Sequence, residues 1–319
     1  MFRQGKLKIP MRKNNKIISA SVVVTVKNEN QSIKILLDSL GNQSVSPKEI
    51  IFVDGGSVDG TISFIRERRK KNKKIKLISR KGVSRAEGRN IGILDSDSNI
   101  IAVTDAGGYP KKNWFEKITA PFVNPKVKVV SGYYQAQALT IFEKCVVPYF
   151  LVMPDKITPA MEFLPSSRSI AFRKSAWKKV GGYPREFFYN EDLVFNHNLK
   201  KTGISFYFEP EAQVVWFPPK NLFQAAKKMF RFAFGDAQAS IPRPKVKFIF
   251  LRYGAGLLLF VFGFYQILIF FVFLYYFWVI WKNFRYARFL QSLFWLPAIQ
   301  VTSDLTVMAG TVLGKLTKK

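Results

Sequence analysis

The first third of the chain alternates between short apolar runs and stretches whose apolar residues recur at helical spacing. Residues 18–26 (ISASVVVTV) form a continuous run rich in β-branched side chains, which is typical of a strand buried on both faces of a parallel sheet. Similar runs predict strands at residues 49–53, 75–79 and 100–104, with helices beginning near residues 32, 60 and 84. This βαβαβαβ order predicts a doubly wound, mostly parallel α/β sheet with helices on both faces.

A long apolar segment near the C-terminus has a different character. Residues 253–281 contain no charged side chain, and a continuous helix of that length would measure ~43 Å against ~30 Å of bilayer hydrocarbon. We therefore expect a membrane helix that either tilts strongly or bends near Gly263 and Gln266. A buried core helix is the alternative, but core helices rarely run so far without charge.

A weaker apolar segment follows at residues 290–316, where Pro297 and Asp304 interrupt the pattern, and it could span back or lie in the interface. The N-terminus lacks the apolar core of a signal peptide, so we expect the α/β part to stay cytosolic. The predicted domain organisation is a basic N-terminal tail (1–17), a cytosolic α/β domain (18–236), a basic juxtamembrane linker (237–252) and a membrane region (253–319).

The charge balance predicts an anionic neighbour. The 319 residues include 50 Lys and Arg against 21 Asp and Glu, which leaves a net charge of +29. Basic clusters lie at residues 12–16, 66–76 and 227–252, and the last leads up to the apolar segment. Such juxtamembrane clusters attract anionic lipids of the cytoplasmic leaflet, although a solvated helix end explains the cluster at 66–76 equally well. No nucleic-acid-binding motif accompanies the charges, so we expect no nucleic acid partner.

Cysteine and histidine each occur once. This excludes a disulfide scaffold, a zinc ribbon and a His-rich metal site, and it fits a reducing compartment. With 48% hydrophobic residues, the composition also excludes a disordered chain.

Polar turns follow three of the predicted strands. Their sequences are KNEN at residues 27–30, DGGSVDGT at residues 54–61 and DAGG at residues 105–108. Doubly wound sheets bind ligands beyond the carboxyl ends of their strands. We therefore expect these acidic turns to line one binding crevice.

The turns belong to a longer set of motifs that resembles the family 2 glycosyltransferases of the GT-A fold. VVVTVKNE resembles the family's opening strand and nucleotide loop, FVDGGSVDGT its acidic signature, GVSRAEGRNIGI its G-x-x-x-A-R-N-x-G helix, and TDAGG occupies the place of its DxD motif. SRSIAFRKSAWKKVGG resembles the acceptor-side strand and helix, and NEDLVFNHNL resembles the Glu-Asp catalytic motif. These six motifs occur in the family's order between residues 18 and 236. The resemblance implies a Rossmann-like GT-A domain that transfers a sugar from a nucleotide-diphospho-sugar.

The resemblance also implies which residues bind the donor. They are Val26, Asn28, Glu29, Asp54, Arg89, Asn90 and Asp105. A carboxylate such as that of Asp54 can accept the ring N–H of uracil or guanine, although a turn-forming role fits Asp-Gly-Gly-Ser as well. Arg89 would neutralise the diphosphate, and an exposed helix residue is the alternative.

The DxD-like segment lacks its second acid, because Gly107 stands in that place. In the family the motif holds the donor ribose and a divalent cation, which acts as a Lewis acid for the departing nucleotide. The resemblance therefore implies Mg²⁺ or Mn²⁺ held weakly by Asp105, by donor phosphates and by waters. Trp216 lies near a position where many relatives carry a histidine, which removes another possible ligand.

Glu191 and Asp192 begin a predicted helix. Inverting glycosyl transfer needs a carboxylate that takes the proton of the acceptor hydroxyl, and the resemblance implies that Asp192 is this base and Glu191 its neighbour on the acceptor side. The alternative is a charged helix N-terminus, where acidic residues are favoured in any case.

Arg168 and Arg231 are implied on the acceptor side. Residues 228–232 (KMFRF) keep only Arg231 of the Gln-x-x-Arg-Trp motif of processive synthases, which favours the addition of single sugars. Residues 221–234 predict an amphipathic helix that either lies in the membrane interface or packs on the sheet.

The sequence thus predicts a membrane-anchored, inverting glycosyltransferase at the cytoplasmic membrane face, with a lipid-linked or cell-envelope glycan as acceptor. The alternative is a catalytically silent membrane protein that binds anionic lipid or glycan, an alternative that the loss at Gly107 leaves open.

Overall fold

The computed structural model describes residues 18–158, 163–241 and 243–318. The predicted basic tail at residues 1–17, with the first basic cluster, lies outside these residues. The chain divides into two compact units. The first comprises residues up to Ala136 together with Val152–Phe217, and the second comprises Gln137–Leu151 together with the residues from Pro218 onwards.

Within the described residues, the first unit contains a mixed sheet of eight strands. The strands are β1 (Ser21–Val26), β2 (Glu49–Asp54), β3 (Ile75–Ser79), β4 (Ile100–Val103), β5 (Gly108–Pro110), β6 (Val129–Ala136), β7 (Ile170–Arg173) and β8 (Phe206–Trp216). They lie in the order β3-β2-β1-β4-β7-β6-β8-β5. The pairs β1–β2, β1–β4, β2–β3 and β6–β8 are parallel, whereas β7 runs antiparallel to β4 and β6, and β5 to β8.

The helices alternate with the first strands and then gather at the C-terminus. They are α1 (Ile33–Gly41), α2 (Thr61–Lys71), α3 (Arg85–Asp95), α4 (Trp114–Thr119), α5 (Ile141–Val146), α6 (Lys174–Lys179), α7 (Glu191–Lys201), α8 (Leu222–Gln238), α9 (Pro244–Val261), α10 (Tyr265–Asn283) and α11 (Ser292–Leu316). The second unit contains α5 and α8 to α11. The predicted βαβαβαβ order is confirmed by β1 to β4 and α1 to α3.

Both faces of the sheet are covered, as the apolar run of β1 predicts. Val22 and Val24 belong to one core cluster with Leu36 of α1, whereas Val23 belongs to another with Ile93 of α3. Successive side chains of a strand point to opposite faces, so α1 and α3 cover opposite faces of β1. The predicted α/β class is therefore confirmed.

Helix α3 approaches the sheet closely because two of its residues lack side chains. A Cβ at Gly92 would lie 2.7 Å from Val23 Cγ1, and a Cβ at Gly88 would lie 3.0 Å from Thr25 Cγ2. Neither position has room for a larger residue without a shift of its neighbours. This close packing brings Arg89, which follows Gly88, into the interior of the first unit, where it is 1% exposed.

A buried carboxylate at the start of β2 binds polar groups from several segments of the first unit. Glu49 Oε1 accepts hydrogen bonds from Ser21 Oγ (2.6 Å), Ser96 Oγ (3.1 Å) and Asp97 N (2.9 Å), and Glu49 Oε2 lies 2.7 Å from Lys76 Nζ. Burial by itself would raise the pKa of Glu49, but Lys76 and these donors outweigh burial and lower the pKa to about 2. The charged form of Glu49 is therefore the one that the fold stabilises.

In the second unit, α8 packs on α11 through two glycines. A Cβ at Gly310 would lie 2.6 Å from the carbonyl oxygen of Phe230, and one at Gly314 would lie 2.5 Å from that of Phe234. Small residues spaced four apart allow helix backbones to approach in this way. For this amphipathic helix, the sequence left open a position in the membrane interface or packing on the sheet. In the structure it packs on α11, which belongs to the same unit, and the membrane interface stays a prediction.

Two helices of the described residues are long and apolar enough to cross a membrane, by length and composition: Tyr265–Tyr286 and Ser292–Leu316. The apolar segment at residues 253–281 is not one continuous helix. It is interrupted between Val261 and Tyr265, where Gly263 has a φ of +75°. Of the two geometries considered for this segment, the structure has the bend.

The Glu49 network predicts a specific pH dependence of stability. The pKa of Glu49 is about 2 in the folded protein against an ordinary 4.5, so its contribution is complete above pH 4.5 and is lost as the pH falls towards 2. Linkage gives this contribution as roughly 3 kcal/mol. We expect Glu49→Gln to lower the thermal unfolding temperature at pH 7, and the difference from wild type to shrink as the pH falls towards 3.

The matched control is Glu186→Gln, because Glu186 is exposed. It should unfold like wild type at every pH. A gap between Glu49→Gln and wild type that stays constant down to pH 3 would contradict the assigned pKa.

Candidate active site

Hydrogen bonds join the two loops that follow β1 and β2. Asn28 N donates to Ser57 Oγ over 2.9 Å, and Asn28 Oδ1 accepts from Val58 N over 2.9 Å. Asn30 N donates to Asp59 Oδ2 over 3.0 Å. Asn28 has a φ of +57°, a left-handed conformation that asparagine adopts more readily than most residues. The two loops therefore form one continuous polar surface.

Asp54 and Val26 are paired at the ends of β2 and β1. The Asp54 side chain is buried, and its carboxylate accepts from Gly56 N over 2.9 Å and from Ser57 N over 3.1 Å. Gly55 N donates to the carbonyl oxygen of Val26 over 2.9 Å. The turn-forming role that the sequence left open for Asp54 is thus present, and its role in donor binding stays a prediction.

The negative charges of the other acidic turns act on the carboxylate of Glu29. Its carboxylate accepts from Ser32 Oγ over 2.8 Å. Burial raises the pKa of Glu29, Ser32 opposes this rise, and the negative charges of Asp105 and Asp59 add to it. The charges of three separate turns therefore act on one another, as expected for loops that line a common crevice.

The turn after β4 leads directly into β5, where Gly108 pairs with Trp216 of β8. A Cβ at Gly108 would collide with the carbonyl oxygen of Val215, so only glycine fits there. Gly107, by contrast, is exposed, and a Cβ there would meet no atom within 4 Å. The position of the missing acid therefore has room for a side chain.

Arg89 is the central charge of the site. Its Nη1 donates to Glu191 Oε1 over 2.7 Å and its Nη2 donates to Asp105 Oδ1 over 2.8 Å. The guanidinium also lies over the ring of Tyr183, 5.2 Å from its centre. Burial works against the charged guanidinium, but Asp105 and Glu191 outweigh burial and raise the pKa of Arg89.

This placement excludes one of the two sequence-based interpretations of Arg89. An exposed helix residue is excluded, because Arg89 is 1% exposed. Two of the guanidinium nitrogens are bound to carboxylates of the protein, and a contact of Arg89 with the donor diphosphate stays a prediction. Arg89 thus joins the turn after β4 to the start of α7.

Asn90 is also engaged inside the protein. Its Nδ2 donates to the carbonyl oxygen of Tyr183 over 2.8 Å, and its Oδ1 accepts from Trp177 Nε1 (3.0 Å) and Tyr183 N (2.9 Å). Asn90 is 3% exposed. These contacts give it a structural role, in which it fixes the segment between α6 and α7, and its predicted position near the diphosphate stays a prediction.

The acidic pair opens α7 directly after Asn190, which has a φ of +59°. Glu191 is buried and holds Arg89, while its Oε2 lies 3.4 Å from Arg85 Nη2. Asp192 is only partly buried, and its Oδ2 accepts from Ser167 N over 3.1 Å. The two adjacent carboxylates therefore differ: that of Glu191 is bound within the protein, and that of Asp192 is partly accessible.

Arg168 is held by two aromatic rings. Its guanidinium lies 4.8 Å from the ring centre of Tyr134 and 5.2 Å from that of Trp216. Burial would raise the pKa of Asp105, but Arg89 and, to a smaller degree, Arg168 outweigh burial and hold it below its ordinary value. Arg168 therefore presents a positive charge beside the carboxylate of the DxD-like turn.

The structure thus brings together most of the predicted residues of the first unit around one set of loops. Arg231 lies on α8 of the second unit, and its acceptor-side role stays a prediction. Sequence reasoning missed Tyr134 and Tyr183, whose rings contact Arg168 and Arg89. Nothing in their local sequence marks them, because both contacts join residues that are distant along the chain.

The site around Asp105 offers few protein ligands for a metal ion. Across the described ranges, no group of three or more His, Cys, Asp or Glu side chains is arranged to hold one. Asp105 Oδ1 accepts from Arg89, which leaves Oδ2 for a cation. This set fits a hydrated cation that takes its other ligands from phosphates and water.

The sheet order of the first unit is that of a GT-A domain, which is the class of fold that the solved structures below share. Residues 21–145 match the family model described as Glycosyl transferase family 2. Residues 21–145 are thus similar to a family 2 glycosyltransferase domain, and the predictions of the GT-A fold and of a glycosyltransferase are confirmed.

Two curated relatives illustrate the similarity. The chain is 23% identical over 233 residues to the succinoglycan biosynthesis protein ExoA of Rhizobium meliloti, covering 69% of each chain. It is 22% identical over 131 residues to a cholesterol galactosyltransferase of Borreliella burgdorferi, covering 40% of this chain and 37% of the relative.

Solved structures share the fold at low identity. The mannosyltransferase PcManGT of Pyrobaculum calidifontis, in complex with GDP-Man and Mn²⁺, matches with a TM-score of 0.54 and 19% identity, over 69% of this chain and 62% of that one. TarS 1–349 of S. aureus in complex with UDP matches with a TM-score of 0.50 and 19% identity, over 68% of this chain and 64% of that one. The chain thus spans less than two thirds of the length of these solved relatives.

The buried position of Arg89 leads to a stability prediction. Arg89→Met would leave Asp105 and Glu191 without their shared counter-charge, and removing one partner of a buried pair costs about 3–5 kcal/mol. We expect a large fall in the thermal unfolding temperature of the full-length protein in detergent. Arg89→Met/Glu191→Gln should regain part of the loss, because it removes one of the two unpaired carboxylates.

Arg85→Met is the matched control. Arg85 lies one turn earlier on α3 and is exposed, so its loss should change stability by less than about 1 kcal/mol. Equal stability of Arg89→Met and Arg85→Met would refute the bridging role.

Proposed function

We propose that the protein is an inverting glycosyltransferase that moves a sugar from a nucleotide-diphospho-sugar to a lipid-linked or cell-envelope glycan acceptor at the cytoplasmic membrane face. The observation that carries the proposal is the Arg89 bridge. It ties Asp105, in the turn that corresponds to the donor-binding DxD motif, to Glu191, which is adjacent to Asp192. A candidate donor site and a candidate base therefore belong to one rigid cluster.

In this proposal Asp192 is the general base. Its carboxylate takes the proton from the acceptor hydroxyl while the oxygen attacks the anomeric carbon, and the bond from that carbon to the diphosphate breaks on the opposite side. The hydrogen bond from Ser167 N holds one oxygen of Asp192 in place. Glu191 acts as a positioning residue, because its carboxylate is bound to Arg89.

Negative charge grows on the leaving nucleotide diphosphate as the sugar departs. Arg168 lies near Asp105, and its guanidinium contacts two aromatic rings, those of Tyr134 and Trp216. A guanidinium held in this way can stabilise phosphate oxygens without reorganising during the reaction. A divalent cation, when bound at Asp105, would supply Lewis-acid stabilisation of the same charge. The Mn²⁺ in the structure of the mannosyltransferase PcManGT supports a divalent cation in general.

The nucleotide is assigned to the joined loops after β1 and β2, with Asn28, Glu29 and Asp54. Asp54 fixes the Gly56–Ser57 backbone, and thereby shapes the surface that a base would contact. The GDP-Man and UDP present in the two solved relatives support a nucleotide-linked donor.

The acceptor is inferred from charge, apolar helices and relatives. The second unit carries two helices with the length and composition of membrane spans, and the chain has a net charge of +29, which suits an anionic membrane surface. The names of the curated relatives refer to succinoglycan biosynthesis and to cholesterol galactosylation. These support an acceptor of the envelope glycan or lipid class.

A catalytically silent binding protein is the competing function, favoured by one observation, which is glycine in place of the second acid at position 107. Transfer or hydrolysis of a nucleotide-sugar donor by the purified protein separates the two. A panel of nucleotide-sugars that neither shift thermal unfolding nor turn over would support the binding protein.

The first test of the mechanism concerns the base. Asp192→Asn keeps the shape of the side chain but cannot take a proton, so we expect at least a ~100-fold loss of transfer rate with donor affinity preserved. Transfer is measured with radiolabelled donor, and donor binding by calorimetry.

Asp38→Asn is the control, because Asp38 is an exposed acid on α1. It should transfer sugar at the wild-type rate. Wild-type turnover in Asp192→Asn would end the assignment of the base.

The second test concerns the cation. With one carboxylate available, we expect EDTA to abolish transfer while the protein without donor binds Mn²⁺ only weakly. Gly107→Asp adds a second charged oxygen ligand at a position with open space, so Mn²⁺ affinity measured by calorimetry should rise by roughly tenfold or more.

Gly41→Asp adds the same charge at another open glycine, at the end of α1, and should leave Mn²⁺ affinity unchanged. Full transfer in EDTA would instead assign neutralisation of the leaving group to Arg168 and other cations.

A further inference from the structure

Helices α9 and α10 form an antiparallel hairpin, as a nested set of contacts shows. The rings of Phe260 and Tyr265 lie 5.8 Å apart. Next outward, the Cβ position of Gly256 lies 3.7 Å from Leu268 Cδ1. Further outward, the Arg252 guanidinium lies 4.5 Å from the ring centre of Tyr275. Each contact joins residues placed almost symmetrically about Gly263, so the chain reverses direction there.

The reversal has a defined geometry. Phe264 N donates to the carbonyl oxygen of Leu259 over 2.9 Å, and Gly263 N donates to that of Phe260 over 3.2 Å. With Gly263 in the left-handed region at a φ of +75°, this is the glycine-terminated end that stops a helix sharply. The apolar segment is therefore folded back on itself by its own sequence.

The tip of the hairpin is apolar and exposed. Phe262 is 69% exposed and Phe264 is 54% exposed, and residues 253–281 contain no charge. A hairpin that crossed a bilayer would present this tip to headgroups and water on the far side. Phe260, Phe262 and Phe264 are all more than half exposed. Transfer of such apolar rings from water to hydrocarbon is favourable, so we expect the tip to lie in hydrocarbon.

The base of the hairpin is polar. Asp304 of α11 accepts from Arg252 Nη2 (2.5 Å) and Tyr275 OH (2.5 Å) through Oδ2, and from Gln300 Nε2 (2.9 Å) through Oδ1. Lys282 Nζ donates to Gln300 Oε1 over 3.1 Å, which extends the network towards the end of α10. Charged side chains are costly in hydrocarbon, which favours a position of Arg252, Lys282 and this network at the level of the headgroups.

The distance from base to tip is about half a bilayer. Arg252 and Phe262 are separated by ten residues along the chain, which corresponds to ~15 Å of helix against ~30 Å of hydrocarbon. A hairpin whose base lies at the headgroups therefore ends near the midplane.

We propose that the α9–α10 hairpin is a membrane anchor that occupies one leaflet. It enters the bilayer from the side on which the first unit lies, and it returns to that same side without crossing. Its partner is a leaflet with anionic headgroups. Both ends of the hairpin then lie on the same side, and both are basic, with Lys245 and Lys247 before the apolar part and Lys282, Arg285 and Arg288 after it. The proposal rests on the proposed membrane association, but not on glycosyl transfer.

The test places single cysteines in the full-length chain. Cys145 is the one cysteine of the sequence and is buried, so Cys145→Ala gives a suitable background. Lys247→Cys, Phe262→Cys and Arg288→Cys are compared with Glu186→Cys, an exposed reference in the first unit. Each is exposed to a membrane-impermeant maleimide in sealed right-side-out and inside-out vesicles.

We expect residues 247 and 288 to be labelled from the same face as residue 186. Residue 262 should be labelled at less than about a tenth of the reference from either face, until detergent is added. Labelling of residue 262 from the face opposite to residue 186 would overturn the proposal. So would labelling of residues 247 and 288 from different faces.

A depth measurement provides a second, independent readout. A spin label at residue 262 should be more accessible to oxygen than to a polar nickel complex, with a depth near the midplane, whereas a label at residue 247 should lie at the headgroups. A label at residue 262 found at headgroup depth would overturn the hairpin. A chain that fails to float with phosphatidylcholine–phosphatidylglycerol vesicles would overturn the membrane association itself, so the two failures are distinct.

Discussion

One buried guanidinium determines the geometry of the first unit. Arg89 binds carboxylates from the turn after β4 and from the start of α7, two segments that are far apart in sequence. A charge removed from water is stable only while its partners stay in place. Neither segment can therefore move without leaving a buried charge unpaired. Because Asp192 follows Glu191 directly, the carboxylate proposed as base is held at a fixed position relative to Asp105.

The position of Arg89 depends in turn on neighbouring residues that set the packing of α3. Gly88 and Gly92 let α3 lie against β1 and β2, and Asn90 binds the backbone at Tyr183. These contacts set the depth and the rotation of α3, so that its arginine points inward. A sequence motif of small residues, an arginine and an asparagine is thus a packing device as well as a candidate binding motif. The same helix also carries Arg85, which is exposed and whose Nη2 donates to the carbonyl oxygen of Phe188.

The sequence predicted the features that arise from local patterns. The β-branched runs and the Asp-Gly turns specified β1 to β4 and the loops after them, because strand burial and turn chemistry are properties of neighbouring residues. The bridging role of Arg89 and the ring contact of Tyr134 could not be predicted, since the bridge needs Glu191 and the ring contact needs Arg168, and each lies more than thirty positions from its partner. The amphipathic pattern of α8 likewise indicated a buried face but not its partner, which is α11. The break at Gly263 was predicted in part. A bend near this residue was one of the two expected geometries, but the reversed direction of the following helix was not expected.

The joined loops after β1 and β2 have a consequence for how specificity in this protein can change. Across the two loops, Asn28 N donates to Ser57 Oγ, and Asn28 Oδ1 accepts from Val58 N. Substitutions in groups that share such contacts do not have additive effects. A change in one loop alters the backbone that the other presents, so single substitutions report on both at once. Since the proposed nucleotide site includes both loops, a change of donor preference would need matched substitutions in the two loops together.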